Sequence, residues 1–133
     1  MQLVKVPIEE AFQALSDPTR LRVIRLLAST REEACLCEFV DSLLEPQYKL
    51  SRHLKVLRQA GLLDAEKDGR WVYHRLVSSP DHLLNLFSVI ETLPDPNGVY
   101  EADLEQFRRR LCHREGGRCQ VGVLTDALKP EAG

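Results

Sequence analysis

Four cysteines are the residues of this chain best suited to chemistry: Cys35 and Cys37 stand two apart, and Cys112 and Cys119 follow much later. Thiolates are soft ligands that select soft metals and metalloids, and no nearby set of histidines or carboxylates favours a harder ion. On a regular helix, residues two apart project roughly 200° from each other, so Cys35 and Cys37 cannot both face one small ion there. In an extended or frayed segment the two-residue period points both to one side. Ligation by the pair therefore requires the start of the following helix to be non-helical or to unwind. The bland alternative is a pair of small buried apolar side chains.

A second group with chemical potential lies between Gln47 and Ala60. Lys49, Arg52, Lys55 and Arg58 share this stretch with no acidic residue, whereas Glu32, Glu33, Glu38, Asp41 and Glu45 crowd the residues before it. Leu50, Leu54, Leu57 and Ala60 recur at helical spacing between the cations, which gives a helix with one core face and one face for an anionic partner. The whole chain carries 18 cationic and 20 anionic side chains, net −2, so affinity for nucleic acid has to come from local segregation of charge. Gln47, Tyr48, Ser51 and Arg52 occupy the first turns, the end of such a helix that reaches base edges, with arginine suited to guanine and glutamine to adenine. Lys49 and Lys55 read as phosphate anchors. His53 lies in the same helix, either as a DNA contact or as a packed ring.

The elements that would position these groups follow from periodicity and punctuation. Ile8, Ala11, Phe12 and Leu15 mark a short amphipathic helix ending near Ser16. Asp17-Pro18 reads as an N-cap followed by proline at the first helical position, opening a second helix through Leu21, Ile24, Leu27 and Ala28. After a link over Thr30–Ala34, the residues Leu36, Phe39, Val40, Leu43 and Leu44 predict a third helix stopped by Pro46. With the basic helix behind it, this is a helix-turn-helix. Gly61 ends the basic helix, Leu62–Lys67 and Arg70–Val77 read as strands, and Asp68-Gly69 is a strong hairpin-turn signal. Lys67 and Arg70 flank that turn and would touch DNA backbone or an adjacent minor groove. Trp71 and Tyr73 read as wing residues packed on the core.

A helix opening at Ser79-Pro80-Asp81 carries a stripe of Leu83, Leu86, Phe87, Ile90 and Leu93 that calls for a partner. Pro94, Pro96, Asn97 and Gly98 break the chain before a last helix, Tyr100–Arg114, with Leu104, Phe107 and Leu111 inward, and a tail follows Gly116-Gly117. At 133 residues and 44% hydrophobic, one core is expected. Residues 1–93 read as the DNA-binding and dimerisation domain, and 94–133 as a C-terminal helix and tail of the same unit. No stretch approaches the ~20 apolar residues of a membrane span, and no signal-peptide pattern opens the chain. The expected location is the cytoplasm, where four cysteines read as metal ligands or reactive thiols rather than disulfides. No nucleophile–base order, phosphate loop or paired-carboxylate signature accompanies the thiols, so no enzyme is expected.

The stretch from Ser16 to Leu76 resembles the ArsR/SmtB family of winged-helix metalloregulatory repressors. The resemblance rests on Leu15-Ser16-Asp17-Pro18-Thr19-Arg20-Leu21, on Cys35-Leu36-Cys37-Glu38, on Ser51-Arg52-His53-Leu54 with Leu57-Arg58-Gln59-Ala60-Gly61-Leu62, and on Asp68-Gly69-Arg70-Trp71-Val72-Tyr73. It implies a mainly α fold with a small β-hairpin, a winged helix-turn-helix with a C-terminal helical arm, and a homodimer. It further implies double-stranded operator DNA as the partner of the ligand-free protein, and release of that DNA on binding an inducer.

Within the family, Cys-x-Cys at this helix resembles the members that answer to arsenite, As(III), or antimonite, Sb(III). Trivalent arsenic favours three thiolates in a pyramid, so a third sulfur is expected. The best-known members can carry it one turn later on the same helix, where this chain has Val40. Cys112 or Cys119 must then supply it. Cys119 is preferred, because it follows Gly116-Gly117-Arg118 in a flexible, cationic stretch where a thiolate forms and moves more easily. The zinc-responsive branch carries a different aspartate and histidine pattern on its dimer helix. Here Asp81 and His82 are adjacent with only Glu91 beyond, so that site is not expected. The alternative function is the same repressor switched by thiol oxidation or by a soft divalent metal such as cadmium, lead or zinc.

Overall fold

A computed structural model of the chain describes residues 6–125. Helices α1 (Ile8–Leu15) and α2 (Pro18–Thr30) lead to a short strand β1 (Ala34–Cys35), which runs directly into α3 (Leu36–Leu43) and then α4 (Gln47–Gln59). Strands β2 (Leu63–Asp68) and β3 (Trp71–Leu76) form the wing, and α5 (Asp81–Glu91) and α6 (Val99–Leu111) complete the fold. Of the expected tail, residues 126–133 lie outside the described residues.

Local chemistry accounts for the boundaries. The Asp17 carboxylate accepts the Thr19 and Arg20 N–H groups at 2.8 and 3.0 Å, satisfying two of the donors that a helix start leaves without partners. Leu44, with φ of 56°, closes α3 in the left-handed conformation and donates its N–H to the Val40 carbonyl. That turn brings α4 in at once. Gly69, at φ of 64°, makes the wing turn, which glycine adopts without strain.

The core gathers around α2. Val23, Ile24 and Leu27 are fully buried, joined by Phe39 of α3, Leu50 and Leu57 of α4, Leu62, and Phe107 of α6. The hydrophobic face of α4 therefore packs inward while its charged face remains in solvent. Arg25 of α2 donates to the Ile90 and Leu93 carbonyls at 3.0 and 2.8 Å and stacks on Tyr100, closing the end of α5 with a cation.

Three sequence expectations need correction. The link over Thr30–Ala34 is divided: Thr30 ends α2, and Ala34 with Cys35 forms an edge strand, antiparallel to β3, opposite His74 and Tyr73. The sheet order is β1-β3-β2. A two-residue strand shows no periodicity, and its partners lie some forty residues further on. The α5 stripe does not wait for a partner: Leu83, Phe87 and Ile90 are buried in the chain's own core with Leu86 and Leu93 half-buried against it, and the apolar side chains that stay exposed on α5 are Leu84 and Val89, outside the stripe. In α6, finally, the inward face includes two charged residues, Asp103 and Arg110, both buried beside Phe107.

His74 of β3 is 4% exposed, accepts from Arg58 of α4 through Nε2 at 2.7 Å, and leaves Nδ1 without a partner. Burial, then the neighbouring Arg58 charge, lowers its pKa from 6.5 to about 4. Between those values the unfolded chain holds a proton that the folded chain refuses, so stability falls as the pH drops through this window. The shift corresponds to a loss on the order of 3 kcal/mol across the window. Chemical denaturation at stepped pH is expected to show this slope in the parent and a flatter one in His74→Phe; equal slopes would remove His74 as the source.

Candidate metal centre and nucleic-acid interface

The change from strand to helix at Cys35 decides how the thiols meet. Cys35 is the last residue of β1 and the N-cap of α3, with extended backbone at φ of −90° and ψ of 166°, while Cys37 lies in the first helical turn. Their sulfurs are 2.8 Å apart. The non-helical start that the spacing requires is thus built into the fold, and no unwinding is needed. Cys119 arrives from the tail with its sulfur 3.5 Å from that of Cys37. All three Sγ atoms lie within 4.8 Å of one another, and among the described residues these form the one cluster of three or more histidine, cysteine or acidic side chains able to surround an ion. Cys112 is exposed at the end of α6, away from this group.

The cluster is buried, with Cys35, Cys37 and Cys119 at 2%, 8% and 3% exposure. This corrects the expectation of an easily ionised Cys119. Burial and the neighbouring Cys35 push its thiol upward, and the hydrogen bond to Cys37, burial and the Glu38 charge push Cys35 far upward. The tail's cation, Arg118, turns instead to Glu33, to Asp68 at the wing turn at 3.0 Å, and over the Tyr73 ring. Cys35 and Cys119 are thus held as thiols, and a ligand must displace their protons as it binds. A purely sulfur donor set suits a soft ion.

Residues around the thiols, most of which the sequence reading did not single out, hold them in place. Tyr73, 1% exposed, accepts the Cys119 N–H through its hydroxyl at 2.8 Å. Glu38, fully buried, accepts the Cys35 N–H at 3.1 Å and pairs with Arg114 at 2.7 Å. Burial alone would raise its carboxyl, but Arg114 and the Cys35 N–H outweigh this and hold it low. One turn along α3, Asp41 pairs with Arg110 at 2.6 Å, both fully buried. Part of the signal was present in the spacing, because Glu38 and Asp41 stand three apart, one turn of α3, whereas Arg110 lies in α6 and Arg114 just beyond its end.

On the outer face, Gln47, Tyr48, Lys49, Ser51, Arg52 and Lys55 are exposed along α4, and Lys67 and Arg70 are exposed on the wing, Arg70 over the Trp71 ring at 4.6 Å. His53 does not join them. Its side chain is 18% exposed and its Nδ1 lies 3.2 Å from Arg20, which ties α4 to the start of α2. A groove of about 630 Å³ runs between α4 and the wing, bordered by Gln47, Ser51, Arg70 and Trp71 and reaching Cys35 and Cys37. The thiols therefore lie at the back of the surface that faces outward from α4. Asp81 and His82 are exposed at the start of α5, and Glu91 at its other end pairs with Arg31.

This combination of helix-turn-helix, three-stranded wing and cationic outer helix defines a winged-helix DNA-binding regulator. The family model described as "Bacterial regulatory protein, arsR family" matches residues 17–65. An uncharacterized HTH-type transcriptional regulator of Methanocaldococcus jannaschii is 36% identical over 84 residues, covering 63% of this chain and 91% of that protein. The arsenical resistance operon repressor of Escherichia coli is 45% identical over 71 residues, 53% of this chain and 59% of the repressor. The SmtB homolog of Synechocystis is 36% identical over 78 residues, 59% and 56% of the two chains. The chain thus spans little more than half the length of these last two relatives. Reduced HlyU from Vibrio cholerae shares the fold, with a TM-score of 0.55 and 24% identity over 62% of this chain and 83% of that one. The chain belongs to the ArsR/SmtB family, whose members are transcriptional regulators and not enzymes. No helix among the described residues is long and apolar enough to cross a membrane.

Proposed function

We propose that this cytoplasmic repressor binds operator DNA as a homodimer and lets go when trivalent arsenic or antimony is captured by Cys35, Cys37 and Cys119. The observation that carries the reading is the convergence of three buried sulfurs within 4.8 Å from a strand end, a helix start and a tail. Arsenite exchanges its three hydroxides for three thiols, and each thiol proton leaves with a hydroxide as water. Charge favours a trivalent centre. The nearby ionised groups pair off as Asp41 with Arg110 and Glu38 with Arg114, so three thiolates around a trivalent ion are neutral, whereas a divalent ion leaves an uncompensated negative charge in the interior. Cys37 belongs to the helix that bears α4, and Cys119 follows an arginine bonded to the wing turn. A ligand that draws the sulfurs together shifts both parts of the DNA-binding surface.

On the DNA side, Gln47, Tyr48, Ser51 and Arg52 address base edges, and Lys49, Lys55, Lys67 and Arg70 address phosphates. Lys49→Ala or Lys55→Ala is expected to weaken binding to every sequence and lower the salt slope by about one. Arg52→Ala is expected to relax sequence preference at a cost of roughly 1–3 kcal/mol. Anisotropy titrations in which all three bind like the parent would contradict the assignment.

Dimerisation in this reading uses apolar side chains left in solvent, Leu84 (38%) and Val89 (57%) on α5 and Phe12 (55%) on α1, and sets two α4 helices one DNA turn, about 34 Å, apart. Val89→Glu is expected to sediment as a monomer with no operator binding. A Val89→Glu dimer would move the interface elsewhere.

The thiols separate in a release assay. Cys35→Ser and Cys37→Ser are expected to bind operator but stay bound in arsenite, Cys119→Ser to respond weakly, and Cys112→Ser to respond like the parent. Normal release in Cys35→Ser, or release of the parent by cadmium or peroxide but not by arsenite, would reject the metalloid mechanism.

A further inference from the structure

Cys119 is buried although the residues around it, Arg118 to Leu124, belong to no helix or principal strand. What anchors this stretch is a buried ion pair belonging to two helices. Arg110 of α6 gives its Nε to Asp41 of α3 at 2.6 Å and its Nη2 to the carbonyls of Val121 and Gly122 at 2.9 and 3.0 Å. The same Nη2 lies 3.7 Å from the sulfurs of both Cys37 and Cys119. Asp41 in turn accepts the Leu124 N–H at 2.8 Å and the Thr125 hydroxyl at 2.7 Å.

Taking two charges out of water costs several kcal/mol for each ion, and apolar side chains of similar volume would join α3 to α6 as well or better. Helix packing therefore gives no reason for the pair. Holding an irregular backbone does: Val121 and Gly122 lie at the surface, where their carbonyls could turn to water, and the buried guanidinium instead fixes both in one place beside the sulfurs. A planar guanidinium reaches a carboxylate and two carbonyls together, which an ammonium cannot do from one fixed position.

We propose that Arg110, seated on Asp41, is the positioning residue for the third thiol: it fixes residues 121–125 so that Cys119 stands beside Cys35 and Cys37 before any ligand arrives. This rests on the reading of those three thiols as the inducer's ligands. Without Arg110 the site becomes a two-thiol site.

The test counts thiols shielded by arsenite from an aromatic disulfide reagent, alongside the sulfur-to-arsenic ultraviolet absorption, in the full chain. The parent is expected to shield three thiols and leave Cys112 reactive. Arg110→Gln is expected to shield two and to bind arsenite about 10–100-fold more weakly, in the range of other losses of outer-shell support. Arg110→Lys is expected to recover part of that loss. Adding Cys119→Ser to Arg110→Gln is expected to cost less than about 2-fold more, because the third thiol is already out of the site. Three shielded thiols at parental affinity in Arg110→Gln, or a full additional Cys119→Ser loss in that background, would overturn the proposal. If Arg110→Gln does not fold, Thr125→Val decides through the same clamp: an affinity loss that vanishes in the Cys119→Ser background supports the proposal, and parental affinity overturns it. A parent that shields fewer than three thiols would instead overturn the three-thiol reading itself.

Discussion

The carboxylate of Glu38 is the contact on which the rest of the site depends. It is fully buried, accepts the N–H of Cys35, and pairs with Arg114. The first bond lets the chain leave β1 and enter α3 at one residue, since a helix start must find partners for its free N–H groups. The second attaches the residues just after α6 to that start. Removing the carboxylate would leave the Arg114 guanidinium with only the more exposed Glu32 at 3.8 Å as counter-charge, and breaking comparable buried pairs costs about 3–5 kcal/mol. The two-residue spacing of Cys35 and Cys37 can serve one ion only because this corner is held.

From that corner the physical links run outward in two directions. One passes along α3, whose left-handed Leu44 and short turn deliver α4 without slack. The other passes through Cys119 and Arg118 to Asp68 at the wing turn, and through Tyr73 to the middle of the sheet. In the proposed reading, the inducer works at the junction of these two paths. A small displacement there reaches both the helix and the wing because packed elements shift between discrete arrangements rather than deform.

Much of this was legible in the sequence. The α4 pattern of Leu50, Leu54 and Leu57 against exposed cations, the Asp17-Pro18 helix start and the Asp68-Gly69 turn each follow from local rules, and local rules hold where neighbours in sequence decide the structure. The pairing of Ala34–Cys35 with β3 was not legible, because a two-residue strand is specified entirely by its distant partner. Nor was the burial of the α5 stripe within the chain, since Leu83, Phe87 and Ile90 look no different in sequence from an interface until α2 is placed against them. Cys119 was singled out among the candidate ligands, but for the wrong physical reason. It is held in a dry, braced position and not in a loose cationic one. Arginines on a helix end ordinarily signify a wet surface, and Arg110 departs from that rule where the site needs it.

The central claim is that three sulfurs, including one delivered by the tail, form a single centre. X-ray absorption at the arsenic edge, recorded on the arsenite-loaded chain, counts those neighbours directly. The account predicts three sulfur atoms and no oxygen in the first coordination sphere; two sulfurs with an oxygen would contradict it.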